Sequence, residues 1–374
     1  MEEKKYQVSF LPWIGIENEF QIGPIRFTPL NRAFEKIEDS SIKKYLAKFF
    51  KSYVDHQGKP VKTILLCSYS NIDFHCLTEE ENNKLINAVD ILVFCTIAPT
   101  TENAVCANNR SMGPPSTEIF QLITSNFQPG INHIVVQAGN SNSECWKIGE
   151  VTYPKPWATG GSFGTPDKEL IQGFCKVFDA KFSNDVRERI FRSLEWFRMS
   201  HAENSEVSIL SKIVMMATAF EILLQVPNNR KKKWIAKEIE KRISNSDFLK
   251  ETRKNPKGND YTYSKVAWWS WDFYEIRNSI VHGDYVKPER IQYCAPGIKW
   301  LTHPIVADLV FWEYVKRELF NHRCIGDNVY SCAKEWDKAY PEEPKGTSIE
   351  SLAGLFLGFD DVQKALGWIK ENEV

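Results

Sequence analysis

The chain of 374 residues exceeds the ~100–200 typical of one domain, so two domains are expected. Apolar residues make up 43% and charged residues 25%, which excludes a disordered, collagen-like or coiled-coil chain. With 47 basic and 48 acidic residues the net charge is −1 and names no partner, but from Arg230 to Lys257 eleven basic residues stand against four acidic ones, a local net of +7.

At the N-terminus, Met1–Tyr6 lacks the apolar core of a signal peptide. Gln21–Leu30 has turn residues between short apolar runs, and Thr63–Cys67, Asp90–Cys95 and His133–Gln137 are apolar runs of strand length. Asn31–Tyr53 and Thr78–Ala88 read as helices, the second opened by Thr78 and Glu81 at capping-box spacing. The breaker-rich Tyr153–Pro166 places a boundary within residues 160–183.

Beyond Ser183 the period changes. Asp185–Ser200 carries Val186, Ile190, Leu194 and Phe197 as a helical stripe. Glu206–Val226 predicts an apolar helix stopped by Pro227, and Lys231–Ile243 a strongly basic amphipathic one. Lys250–Asp260 reads as an exposed basic loop. Tyr263–Val281 predicts a helix with Gly283 placed to cap its C-terminus. Thr302 and Pro304 open a last main helix that runs to Asn321. The fold class expected is α+β. A mixed, strand-rich domain over residues 1–175 precedes an all-α domain over 183–330, and a helical extension follows over 331–374.

No stretch reaches the ~18–20 uninterrupted apolar residues of a membrane helix. Nine scattered cysteines fit free thiols better than a disulfide framework, so a cytoplasmic protein without a membrane partner is expected. Cys67, His75 and Cys76, and separately His322, Cys324 and Cys332, lack the paired spacing that holds zinc. No metal and no cofactor is expected. Gly160–Gly164 lacks the Lys-Ser/Thr of a phosphate loop, and Ser162 and Ser279 sit in no nucleophile elbow.

The stretch that stands out is Glu275-Ile-Arg-Asn-Ser-Ile-Val-His-Gly283. Five residues turn an ideal helix by about 500°, which leaves Arg277 and His282 about 140° apart, whereas Asn278 and His282 share a face. A helix ending at His282 frees the imidazole to turn and lets the long arginine reach toward it. The same spacing recurs at Arg317 and His322, in a stretch that reads as an ordinary charged helix end. Arg277 and His282 are also open to a second reading, as a surface ion-pair partner and a histidine favourably placed at a helix C-terminus.

Arg277-Asn278-Ser-Ile-Val-His282-Gly283 resembles the signature of the HEPN superfamily, an arginine, a polar residue and a histidine in R-x4–6-H form. Leu194–Arg198 and Ala217–Leu224 are similar to the first two helices of its ApeA-like branch, and Gln21–Arg26 to the variable strand-rich regions that precede such domains. The resemblance covers residues 185–325 and implies a HEPN helical bundle there. It further implies a metal-independent endoribonuclease, homodimeric through the HEPN domain, with Arg277, Asn278 and His282 catalytic. The substrate it implies is tRNA or mRNA, cut by 2′-hydroxyl attack to leave a 2′,3′-cyclic phosphate. Its implied role is that of a toxin or anti-phage defence effector, with a cognate antitoxin or phage-derived trigger as partner and the N-terminal domain as sensor or restraint. Glu221 either supports this site from the neighbouring helix or pairs with Arg277 for stability alone. The alternative is a catalytically inactive HEPN module that binds RNA or a protein. A third candidate is Tyr285 as a site modified by a cognate nucleotidyltransferase, although family members with such partners show His-x-Tyr where this chain has His-Gly-Asp-Tyr.

The basic segment supplies candidate RNA contacts. Arg230, Lys231, Lys232, Lys233 and Lys237 can screen phosphates or form a solvated helix face. Tyr261 and Tyr263 are the best candidates to stack unpaired bases, at roughly 1–3 kcal/mol each. Trp268, Trp271 and Tyr274 recur at helical spacing and are expected to face the core or a dimer interface.

Overall fold

The structure is a computed structural model. It describes residues 5–69, 74–106, 117–131, 133–138, 144–156, 166–202, 207–242, 250–254, 258, 260–293 and 301–326. Helices and sheets are both present, so the fold is mixed α and β. The chain divides into a first unit of residues 1–97, 115–183 and 201–204, and a second of 98–114, 184–200 and the chain from 205 on. The expected glycine-rich linker Gly160–Gly164, Cys332 and the helical extension over 331–374 lie outside the described residues.

In chain order the first unit contains β1 (Tyr6–Leu11), β2 (Phe20–Ile22), β3 (Ile25–Pro29), α1 (Leu30–Lys36), α2 (Ser40–Phe49), β4 (Tyr53–Val54) and β5 (Leu65–Tyr69). Then follow α3 (Glu79–Cys106), whose residues from Ala98 on are counted with the second unit, β6 (Ile123–Phe127), β7 (His133–Ala138), β8 (Glu144–Lys147), β9 (Tyr153–Pro154) and α4 (Lys168–Val177). Among the described residues seven strands form one antiparallel sheet in the order β2-β3-β5-β1-β6-β7-β8. β1 lies at its centre, with Ser9 opposite Cys67 on β5 and Val8 opposite Ser125 on β6. Phe10 of β1 is fully buried and meets Phe49, Phe50 and Tyr53 edge-on at ring separations of 5.1–5.6 Å. That aromatic contact seats α2 on the sheet. The β2–β3 turn needs Gly23, because its φ is +56° and a Cβ there would lie 2.3 Å from the Phe178 ring.

Two expectations for this unit are corrected. Asn31–Tyr53 is not one helix. Asp39 caps a new one by accepting the N–H groups of Ser41 and Ile42, and the chain turns extended at Tyr53. Asp90–Cys95 is not a strand but the middle of α3. Every residue from Ala88 to Ala98 is buried, so this stretch shows no polar face from which a helical period can be read. The helix does open as expected, with Thr78 N–H donating to Glu81 Oε2 at 2.9 Å and Glu81 N–H to Thr78 Oγ1 at 3.3 Å. By length and composition Glu79–Thr101 could cross a membrane, yet 78% of its apolar window is buried within the fold.

The second unit contains α5 (Asn184–Ser200), α6 (Ile209–Leu223), α7 (Lys231–Arg242), β10 (Lys250–Lys254), β11 (Asp260–Ser264), α8 (Lys265–His282) and α9 (His303–Asn321). α5 lies along α6, α7 along α8, and α6 also touches α8 and α9. Phe220 of α6 is the common contact. Its ring meets Phe311 of α9 at 5.4 Å, and Trp269 and Phe273 of α8 at 6.4 and 6.3 Å. Truncating a core phenylalanine of this kind costs about 3–5 kcal/mol. The expectation of an all-α domain with a basic loop at Lys250–Asp260 is corrected as well. Lys250–Lys254 pairs antiparallel with Asp260–Ser264, and the Thr252 and Thr262 hydroxyls meet at 2.8 Å across the pair.

Candidate functional site

α8 is fixed at both ends, and this positions the motif. At its start Ser264 Oγ accepts the Ala267 N–H, while the Ser264 N–H donates to Glu240 of α7 at 2.8 Å. At its end Gly283 adopts φ +80°, its N–H donating to Ile280 C=O at 3.1 Å, and the Asp284 N–H donates to Ser279 C=O at 2.9 Å. This doubly bonded stop needs a residue at ease in the left-handed region. It leaves His282 as the last helical residue, exposed, its imidazole with no hydrogen-bond partner among the described residues.

Arg277, Asn278 and His282 line one concavity of 470 Å³ together with Arg230 and Lys231–Lys233. The four cations come from the start of α7, where Arg230 is held at φ +54° and accepts the Trp234 N–H at 3.1 Å. A left-handed L-residue costs roughly 1–2 kcal/mol. Trp271 and Tyr274 of α8 complete the wall.

The arginine is anchored rather than free. Arg277 Nη2 lies 3.1 Å from Glu221 Oε1 and its Nη1 donates to Asn278 Oδ1 at 3.3 Å, while the guanidinium rests 5.2 Å from the Tyr274 ring centre. Its Nε is buried without a partner among the described residues. Glu221 of α6 also accepts from the Tyr274 hydroxyl and, through Oε2, from Lys231 Nζ at 2.5 Å. Burial, with the Glu221 carboxylate second, pushes the Tyr274 hydroxyl above the ordinary phenol range, so it remains a donor. Lys232 pairs with Glu275 at 2.7 Å. Five cations therefore stand against two carboxylates, a surplus suited to a phosphodiester.

No protein-family model, curated protein or solved structure matches the chain.

The second arginine–histidine pair is placed otherwise. Arg317 Nε lies 2.6 Å from Glu313 Oε1, and its Nη1 donates to the Arg242 carbonyl. His322 Nε2 lies 3.6 Å from Glu318, a buried acid that also binds Arg189 and, at 3.0 Å, Arg242. Both members face carboxylates of α9, and neither lines the basic concavity.

Among the other expected contacts, Glu221 touches the cluster without lining the concavity, and Lys237 is exposed on α7 outside it. Tyr261 and Tyr263 stand on β11, stacked on each other at 6.2 Å. Tyr261 reaches Lys233, and Tyr263 packs on Trp268. Of the residues expected to face the core, Trp268 and Tyr274 are buried, whereas Trp271 is half-buried and lines the concavity. Tyr274 is the contact that sequence reasoning missed. It lies one turn before Arg277 on the same helix face, and that spacing was the available signal. Among the described residues no group of three or more His, Cys, Asp or Glu side chains gathers as a metal-binding set.

Proposed function

We propose that the second unit is a HEPN-type endoribonuclease domain and that Arg277, Asn278 and His282 carry its chemistry. The observation behind this reading is their convergence on one strongly cationic concavity with an unencumbered imidazole at its edge. In the reaction, the ribose 2′-oxygen attacks phosphorus as a base removes its proton. The P–O5′ bond then breaks as an acid protonates the departing 5′-oxygen. Histidine can serve as either group. A homodimer would bring His282 of each copy to one phosphodiester, one as base and one as acid. Arg277 would offset the charge that grows on the phosphoryl oxygens, with Asn278 orienting it. No step needs a metal ion, and the products carry a 2′,3′-cyclic phosphate and a 5′-hydroxyl. In the cytoplasm such an enzyme would act as a toxin or anti-phage effector on tRNA or mRNA. The first unit, which has a 630 Å³ cavity lined in part by Ile14–Gln21, would sense a trigger or restrain the nuclease.

A second reading is favoured by one observation, the Glu221–Arg277 pair, in which both side chains are over four-fifths enclosed. Such a pair also suits a catalytically silent module that binds RNA or a protein. Incubating the protein with labelled tRNA and mRNA in EDTA decides between them. Cleavage that leaves cyclic phosphate ends and is lost in His282→Ala supports the nuclease. Equal cleavage by wild type and His282→Ala, 5′-phosphate ends, or loss of activity in EDTA overturns it.

A further inference from the structure

Beside the concavity, three aromatic rings of the hairpin and α8 each lie under a cation. Lys233 Nζ is 4.7 Å from the Tyr261 ring centre, Lys232 Nζ is 4.7 Å from that of Trp271, and the Arg253 guanidinium is 4.6 Å from that of Trp268. The rings touch in series, Tyr261 to Trp271 at 5.8 Å and Trp271 to Trp268 at 5.5 Å. They differ in access. Trp268 is 4% exposed, donates its indole N–H to Glu251 C=O, and has its arginine fixed by Asp272 and Glu251. Trp271 and Tyr261 are half-buried, and the lysines over them are long, single-charged and only partly paired.

We propose that Trp271 and Tyr261 form a stacking platform for unpaired nucleotides that flank the phosphodiester held at Arg277. The inference rests on the nuclease reading and deepens it by naming the substrate as single-stranded. A lysine over an aromatic face occupies the place a base would take, with comparable attraction. When a base arrives, Lys232 or Lys233 leaves the ring and finds a phosphate of the same strand, so the exchange keeps every cation partnered. Trp271 belongs to both the platform and the concavity, which makes the path from stacked base to Arg277 continuous. A duplex, whose bases are already stacked on each other, offers no free face to these rings.

The test measures binding of a fluorescent 2′-O-methyl oligonucleotide, which cannot be cleaved by 2′-oxygen attack, to wild type, Trp271→Leu, Trp271→Phe and Tyr261→Leu. The expected result is weakening by about tenfold in each leucine variant, within the range for loss of one stacked base, with Trp271→Phe close to wild type. Replacing single nucleotides by abasic ones should erase the difference between wild type and Trp271→Leu at one or two positions. Unchanged thermal unfolding in Trp271→Phe separates stacking from misfolding. Binding unaffected by either leucine variant overturns the platform, as does a double-stranded oligonucleotide showing the same dependence on Trp271. Cleavage of the matching RNA is scored separately. Platform-dependent binding without cleavage refutes the nuclease and leaves the platform, whereas cleavage with platform-independent binding does the reverse.

Discussion

The chain carries arginine and histidine at one spacing twice, and the two copies have opposite surroundings. At the end of α9, Arg317 is held by Glu313 of that helix, His322 stands 3.6 Å from Glu318, and the buried Glu318 also binds Arg189 and Arg242. On α8, Arg277 is anchored by an acid from another helix, and His282 is left without a partner among the described residues at the rim of a basic concavity. The first arrangement sets its arginine against carboxylates within the protein. The second keeps a surplus directed outward. Spacing alone does not distinguish them; the origin of the carboxylates does.

The largest expected effect contrasts the arginines. Arg277→Ala should lower RNA cleavage by about 10²–10³-fold, as loss of one charge-stabilising donor does, with Arg317→Ala far less affected in single-turnover assays. The acids should behave in the inverse way. Glu318→Ala takes the carboxylate from the largely enclosed Arg189, while Arg242 keeps Glu238 at 3.3 Å, and should cost about 3 kcal/mol in urea unfolding, with little change in cleavage per folded molecule.

A third histidine sharpens the contrast between sealed and open positions. His303 at the start of α9 is stacked near Trp269 and Phe273, and burial, with Arg290 second, lowers its pKa to about 4. A base depressed on folding binds its proton more readily when unfolded. Its neutral form therefore supports the fold fully above about pH 6.5, and this support is lost as pH falls toward 4. Unfolding measured at pH 7 and pH 4 should differ by up to about 3 kcal/mol from this group, and the difference should shrink in His303→Phe. The smallest effect is at the helix stop. Gly283→Ala forces a left-handed L-residue and should cost about 1 kcal/mol while loosening the turn that carries His282.

These contrasts also show what the sequence made legible. The helices of the second half start and end close to their expected limits because end signals are local: Gly283 past α8 and Pro304 in the first turn of α9 act through their immediate neighbours. The Asp90–Cys95 segment was misread because a helix buried on every side has no polar face. The hairpin was invisible for the converse reason. Lys-Glu-Thr-Arg-Lys contains no apolar residue, and its pairing is set by partners across the ladder. In the site, Arg277, Asn278 and His282 could be read together because they share one helix. Glu221, Lys231 and Tyr274 converge through packing of three helices, which no spacing along the chain encodes.

The most direct test compares cleavage of labelled RNA in EDTA by His282→Ala and His322→Ala under enzyme excess, with both variants confirmed folded. The account predicts a loss of about 10²–10⁴-fold in His282→Ala, the range for a general acid–base group, and near wild-type cleavage in His322→Ala. Equal rates in the two variants, or a selective loss in His322→Ala, would contradict it.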